Sequence, residues 1–303
     1  MKKHMKLLLS LVFIVIPFAI SVIYFDVLNR QVPQTFYLKT AAGDIKAGSP
    51  IAPGRDVWFG TDADGYHIFF EALAGLRITL LFVIGIALFC FLLALIAGAW
   101  LSFKKGSFDF VTDAVLTSYY FIPQAIIAYI LLEPVVVETL DGFVYSRTTR
   151  VIYTTVVLAL VLLPTTLIVI RDEIRQLLKR DFIDSAVVLG AGKIRLLWHH
   201  VLPNIKSRLL IIFTRLVYQS IMVMAHISFL AIFFGGTDVC FGPGCPSPPT
   251  KPAVRELSSL LGYHMRELYS SWWTFVVPLC FVVMLLLAFQ LLSEALENSE
   301  ENR

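Results

Sequence analysis

Charge is the scarcest property of this chain. Only 16% of its 303 residues are Asp, Glu, Lys or Arg, whereas a soluble domain carries about a quarter. That shortage excludes an ordinary solvated globular domain. The net charge of +3 is too small to mark a nucleic-acid binder, and no basic patch with interleaved aromatics occurs. No nucleic-acid partner is expected. Cysteine is also rare, with four residues in all. Cys90 and Cys280 lie in apolar runs and read as small packing residues. Cys240 and Cys245 flank Phe-Gly-Pro-Gly in a polar loop and lack the further Cys or His ligands of a zinc site. A local disulfide is expected there if the loop is extracytoplasmic. No metal site is expected, and no nucleophile–base pair argues for an enzyme. No internal repeat or low-complexity linker is visible.

What the chain has is apolar length. Hydrophobic residues make up 57% of it, and a bilayer-crossing helix needs about 20 mainly apolar residues. Six stretches qualify: Leu7 to Phe25, Ile78 to Phe103, Ala114 to Leu132, Val151 to Ile170, Leu209 to Phe234, and Trp272 to Leu292. The expected fold is an all-α polytopic membrane protein with six transmembrane helices. Helices two to six form one bundle and helix one sits at its edge. The first stretch follows Lys2, Lys3 and Lys6, as a signal peptide would. Ala19 and Ser21 make a poor cleavage pattern, so a retained helix over residues 1–25 is expected. Pro17, Pro123, Pro164 and Pro278 should kink or interrupt their helices.

Basic residues near helix ends set orientation. The N-terminal lysines favour an inside start, and Lys104 and Lys105 favour an inside loop after helix two. The loop after helix four is the most basic in the chain: Arg171, Arg175, Lys179, Arg180, Lys193, Arg195, Lys206 and Arg208. Both termini are therefore expected in the cytoplasm, including a tail over 295–303. Residues 26–77 and 235–271 are expected outside, the second with a short surface helix between Val254 and Tyr269. One transmembrane domain is expected over 78–294, with its cytoplasmic loop at 171–208.

That loop has a shape of its own. Phe182, Ile183, Ala186, Val187 and Leu189 suggest one short helix. Ile194, Leu197, Trp198 and Val201 fall at i, i+3, i+4 and i+7, one apolar stripe on a second. Gly190-Ala191-Gly192 allows a sharp bend between them, and Pro203 is expected to end the second helix. From periodicity alone, this hairpin is equally an interfacial amphipathic helix with no partner. Gly190-Ala191-Gly192-Lys193 is not a phosphate loop, because Val187 and Ile194 stand where Gly and Ser or Thr belong.

Asp184-Ser185-Ala186, Gly190 four residues on, and Leu202-Pro203 beyond it resemble the EAA loop of the dipeptide, oligopeptide and nickel permeases, subunits of ABC importers. Other segments agree in order. Phe59-Gly60-Thr61-Asp62, Gly65 and Gly75-Leu76-Arg77-Ile78-Thr79-Leu80 resemble the approach to the second helix, Asp113 and Pro123 the third, and Ser271-Trp272-Trp273 with Pro278 the last. The chain departs from the pattern in three places. The triplet begins Asp-Ser, Ala231-Ile232-Phe233-Phe234-Gly235-Gly236 replaces a Leu-Gly-Leu-Gly type run, and Gln290-Leu291-Leu292-Ser293-Glu294 replaces Gly-Asp and Arg-Asp residues.

The resemblance implies a type I importer permease bundle that pairs with a second, homologous permease. It also implies two cytoplasmic ATPase subunits, which hold the ATP and Mg, and an extracytoplasmic solute-binding protein. This chain itself would carry no cofactor, and membrane lipid would surround it in a bacterial or archaeal plasma membrane. Asp184, Ser185, Ala186, Gly190, Ile194, Leu202 and Pro203 would form the coupling loop, with Asp184, Ala186 and Gly190 at its centre. The solute would be a peptide or a related small solute such as a nickel or other metal chelate.

Two other functions compete. A self-driven secondary transporter expects buried mid-membrane charges and inverted repeats, and a membrane scaffold expects only the amphipathic loop. Arg215 and His226 are the ionisable residues of the fifth apolar run, and such residues are functional candidates. Arg215 lies near the cytoplasmic end, where snorkelling is expected. His226 either lines the pathway or bonds a neighbouring helix. The adjacent His199 and His200 point to different helix faces, which argues against a metal pair. Glu133 and Glu138 are expected to be solvated at the outer end of helix three.

Overall fold

The structure is a computed structural model that describes residues 2–39, 44–104, 107–245 and 250–300. Its elements run α1 (Lys2–Val22), β1 (Tyr37–Lys39), β2 (Ile45–Gly48), α2 (Ile68–Ser102), α3 (Ser107–Ser118), α4 (Gln124–Val136), α5 (Arg147–Leu178), α6 (Asp181–Val188), α7 (Lys193–Arg195), α8 (Leu202–Phe229), β3 (Thr237–Val239), β4 (Thr250–Pro252), α9 (Leu257–His264) and α10 (Trp272–Glu300). Lys105 and residues 301–303 lie outside the described residues.

Among the described residues, five helices are long and apolar enough to cross a membrane, and six if the bent pair α3/α4 counts as one span. The third span is not one straight helix. It breaks by 88° between Phe121 and Gln124. Pro123 stands at the break in extended backbone (ψ 116°) as the N-cap of α4, because proline offers no N–H to continue a helix. Pro17, Pro164 and Pro278 lie inside helices assigned without a break.

Several helices outrun their apolar stretches. Helix α2 starts ten residues before Ile78, and its 35 residues span about 50 Å. A bilayer core of about 30 Å cannot hold that length. The surplus carries Glu71 and Arg77, and hydrogen bonds inside the protein replace the missing apolarity. The surplus of α10 similarly carries Glu294, Glu297 and Glu300, which pair with Lys6, Arg215 and Arg208. Both chain termini therefore belong to one end of the bundle, the terminal end; β1–β4 and α9 mark the opposite, far end.

The main core joins α2, α4, α5, α8, α9 and α10 around Leu76, Val83, Ile86, Leu158, Leu162, Leu216, Ile221 and Leu285. Helices α2 and α5 cross closely at Gly98, where an added Cβ would sit 3.2–3.4 Å from Ile170, Arg171 and Leu167. Helix α1 is exposed at half of its residues from Met5 to Val22 and is tied to α2 by Ser21 Oγ, which donates to the Leu73 carbonyl at 2.7 Å.

The segment around Val254 to Tyr269 is not a surface helix. Of the eight residues of α9, seven are buried, and a Cβ on Gly262 would collide with the Ser228 carbonyl of α8. Glu256 makes this insertion possible. Its fully buried carboxylate accepts from the amides of Ser258 (2.9 Å) and Ser259 (2.5 Å) and from Thr79 Oγ1 (2.9 Å). A buried charge is tolerated only with such partners. The fifth span ends at Phe229, and Ile232, Phe233 and Phe234 fold back into the core. Glu138 is not simply solvated, since it accepts from the Val239 amide at 2.9 Å. Cys240 and Cys245 are disulfide-bonded with Cα atoms 5.6 Å apart. Cys90 is buried, and Cys280 lies exposed on the outside of α10.

Candidate functional site: a helical hairpin at the terminal end

Helix α6 begins after Arg180, whose backbone is extended and whose side chain makes no capping bond. Asp181 and Asp184 sit in its first turn, where negative charge favours the unpaired amides of a helix start. At the other end the Ala191 amide donates to the Ala186 carbonyl at 3.0 Å and the Gly190 amide to Val187 at 2.9 Å. This is a Schellman closure, which places its C′ residue in the left-handed region. Gly190 has φ +87°, a conformation that strongly favours glycine. A Cβ there would meet nothing within 4 Å.

The return arm starts at α7 and passes through a π-turn at Leu196–Val201 directly into α8. Pro203 therefore does not end a helix. It stands in the first turn of α8, and the widened turn just before it accommodates the ring and the missing amide. Asn204 Nδ2 donates to the His200 carbonyl at 2.6 Å and satisfies one of the freed groups.

The hairpin has two faces. Ile183, Ala186, Leu196, Val201 and Ile205 are buried against Ala94 and Leu101 of α2 and Ile170 and Ile174 of α5. Outward stand Val188 at 86%, Leu189 at 87% and Ile194 at 77% exposure, with Val187 and Trp198 more than half exposed. Only half of the expected stripe faces the bundle: Val201 is buried and Leu197 half-buried, whereas Ile194 and Trp198 look out. The exposed apolar crest makes this hairpin a candidate contact surface. Asp184 lines a cleft of about 710 Å³ beside Lys104, Arg175, Lys179 and Lys193.

The other residues singled out from the sequence are spread more widely. Ser185 is exposed and its hydroxyl bonds back to the Asp181 carbonyl at 3.1 Å. Leu202 is half-buried beside the hairpin core. Ala186 faces inward, so its small size serves the base of the hairpin and not its crest. Arg215 pairs with Glu297 and bonds Ser293 Oγ at 3.3 Å, which fixes it to α10 at the terminal end. His226 is exposed on α8.

Two groupings were not legible from the sequence. At the break in the third span, Gln219 Nε2 donates to Gln124 Oε1 at 2.9 Å and Gln124 Nε2 to Thr165 Oγ1 at 3.4 Å. Tyr119 donates to the Val161 carbonyl at 2.8 Å. These polar groups line up across α4, α5 and α8. At the far end, Asp62, Glu71 and His264 converge, all buried. Burial, then repulsion from Glu71, pushes the Asp62 carboxyl up to about 7. Neither grouping has a local spacing signal, because each draws on three segments.

The long apolar helices define a multi-pass membrane protein. Residues 78–300 match the family model of binding-protein-dependent transport system inner membrane components. That match covers well over half of the chain, which therefore belongs to this family of ABC-importer permeases. Similar proteins include the dipeptide transport system permease protein DppC of Bacillus subtilis, 23% identical over 82% of this chain and 69% of its own length. The oligopeptide transport system permease protein OppC of the same organism is 22% identical over 82% of this chain and 72% of its own. The DppC of Haemophilus influenzae is 25% identical over 98% of this chain and 90% of its own.

Proposed function

We propose that this chain forms one half of the pathway of an ATP-driven peptide importer and that the α6–α7 hairpin is the knob through which a separate ATPase moves it. The carrying observation is the pairing of a buried base, Ile183, Ala186, Leu196 and Val201, with an exposed crest, Val188, Leu189 and Ile194. A lever that transmits motion needs both. The base makes the hairpin move with α2 and α5, and the crest gives a partner apolar surface to grip. Burying Val188 and Leu189 together contributes on the order of 3–5 kcal/mol, enough to hold a contact through a power stroke. The names of the relatives favour peptides over a nickel or other metal chelate as the solute.

On this reading the terminal end is cytoplasmic, as the basic residues of the hairpin region require, and the far end receives solute from an extracytoplasmic binding protein. A second, homologous permease covers the broken third span, where Phe121 is 84% exposed. The polar groups around Gln124 and Gln219 then face the pathway. ATP and Mg are held by the two ATPase subunits.

The test is co-purification of the tagged chain in mild detergent, compared with Leu189→Asp. Wild type is expected to bring down an ATPase and a second permease, and the variant to keep the permease and lose the ATPase. A variant that retains the ATPase fully would refute the assignment of the crest.

A further inference from the structure

The far-end grouping has the form of a ligand site. His264 ends α9 and is fully buried. Its Nδ1 lies 2.9 Å from Glu267 Oε2, and that carboxylate also accepts from Thr274 Oγ1 at 3.0 Å. The Glu267 carboxylate holds the imidazole ring from its Nδ1 side. Nε2 is buried without a hydrogen-bond partner. A ring nitrogen of His264 and one carboxylate oxygen each of Asp62 and Glu71 lie within 4.8 Å of one another. Glu71 Oε2 is likewise buried without a partner. Three side chains able to act as ligands thus converge, and two of them keep a buried, unpartnered polar atom, His264 Nε2 and Glu71 Oε2.

Arg255 does not resolve this. Its guanidinium lies 2.5 Å from Glu71 Oε1, 3.3 Å from Asp64 and 3.9 Å from Asp62, and packs over the Tyr66 ring. One cation is shared among three carboxylates from the outer edge, while Lys251 is taken by Asp64 at 3.2 Å.

We propose that Asp62, Glu71 and His264 bind a divalent transition-metal ion of the zinc type. One imidazole nitrogen and two carboxylate oxygens suit zinc, cobalt, nickel or manganese, whereas calcium and magnesium prefer oxygen alone. Glu267 completes the set as the carboxylate that orients the ligating histidine, an arrangement that accompanies metal-bound imidazoles. Donors around one such ion stand about 3–4 Å apart, so small side-chain rotations close the site. The ligands come from the loop before α2, the first turns of α2 and the end of α9. The ion therefore staples the inserted helix α9 to the entry of α2 on the far face. This site lies at the far end of the bundle, where α2 outruns its apolar stretch, and does not rest on the transport reading.

Purified importer carrying a tag without histidine is stripped with EDTA, loaded with zinc, gel-filtered and assayed for metal content and unfolding temperature. The expected result is one zinc per chain and a raised unfolding temperature in wild type. His264→Asn and Glu71→Gln are expected to retain a tenth as much or less and to lose the zinc-dependent shift. Zinc bound equally by wild type and variants, or not retained by wild type, would overturn the proposal. If neither variant folds, X-ray absorption of zinc-loaded wild type decides: imidazole and oxygen ligands support the site, and a shell without imidazole overturns it.

Discussion

The Ala191 amide donates to the Ala186 carbonyl across 3.0 Å, and this bond closes the turn that carries the exposed crest. One partner belongs to the buried base and the other to the bend, so the crest is rigidly tied to the bundle. The geometry also explains Gly190, whose φ of +87° is the conformation such a closure demands.

Gly190→Ala is expected to distort this turn. A left-handed backbone costs an L-residue about 1–2 kcal/mol, which corresponds to a roughly 5–30-fold loss of ATPase affinity if the strain is released by opening the hairpin. Gly190→Asn should lose less, because asparagine tolerates this region. Titrating the purified ATPase against each variant checks the order Gly, Asn, Ala.

The two faces of the hairpin should fail differently. Val188→Ala and Leu189→Ala remove exposed side chains, so thermal unfolding of the isolated permease should stay unchanged while ATPase binding weakens. Ile183→Ala removes a side chain only 2% exposed and should cost about 2–5 kcal/mol of stability. Differential scanning fluorimetry beside a pull-down separates these outcomes.

The crossing of α2 and α5 leaves no room at Gly98. Gly98→Leu must push against Ile170 and the backbone of Arg171 and Leu167, with an expected cost of about 1–3 kcal/mol. Gly85 on the same helix has nothing near its Cβ position, so Gly85→Leu serves as the control. Detergent unfolding temperatures of the two variants should differ in that direction.

The disulfide reports orientation. With Cys240 and Cys245 bonded, a membrane-impermeant maleimide should label neither residue in whole spheroplasts until a reductant is added, and both afterwards. Labelling that requires broken membranes would place the far end in the cytoplasm. The closed loop is short, so Cys240→Ser with Cys245→Ser should cost about 2 kcal/mol.

The long spans were legible because each is a continuous apolar run, as α2, α5, α8 and α10 show. Their true ends were not, because Glu71 and Glu297 extend helices past the apolar run and are stabilised by Arg255 and Arg215, distant in sequence. The hairpin was visible in its glycines and its spacing. Its stripe is split, with Ile194 and Trp198 outward and Val201 inward, since a π-turn alters the helical period that the stripe assumed. Pro203 misled for the same reason. The burial of α9 gave no local signal, because it rests on Glu256 meeting Thr79. The convergence of Asp62, Glu71 and His264 depends on that insertion.

ATP-dependent peptide uptake by proteoliposomes containing the co-purified complex tests the central claim most directly, with wild type compared with Leu189→Asp. Uptake that needs both ATP and the ATPase, and that falls at least tenfold in the variant while the chain remains inserted, is the predicted result. Peptide transport by this chain alone, or uptake unchanged by Leu189→Asp, would contradict the account.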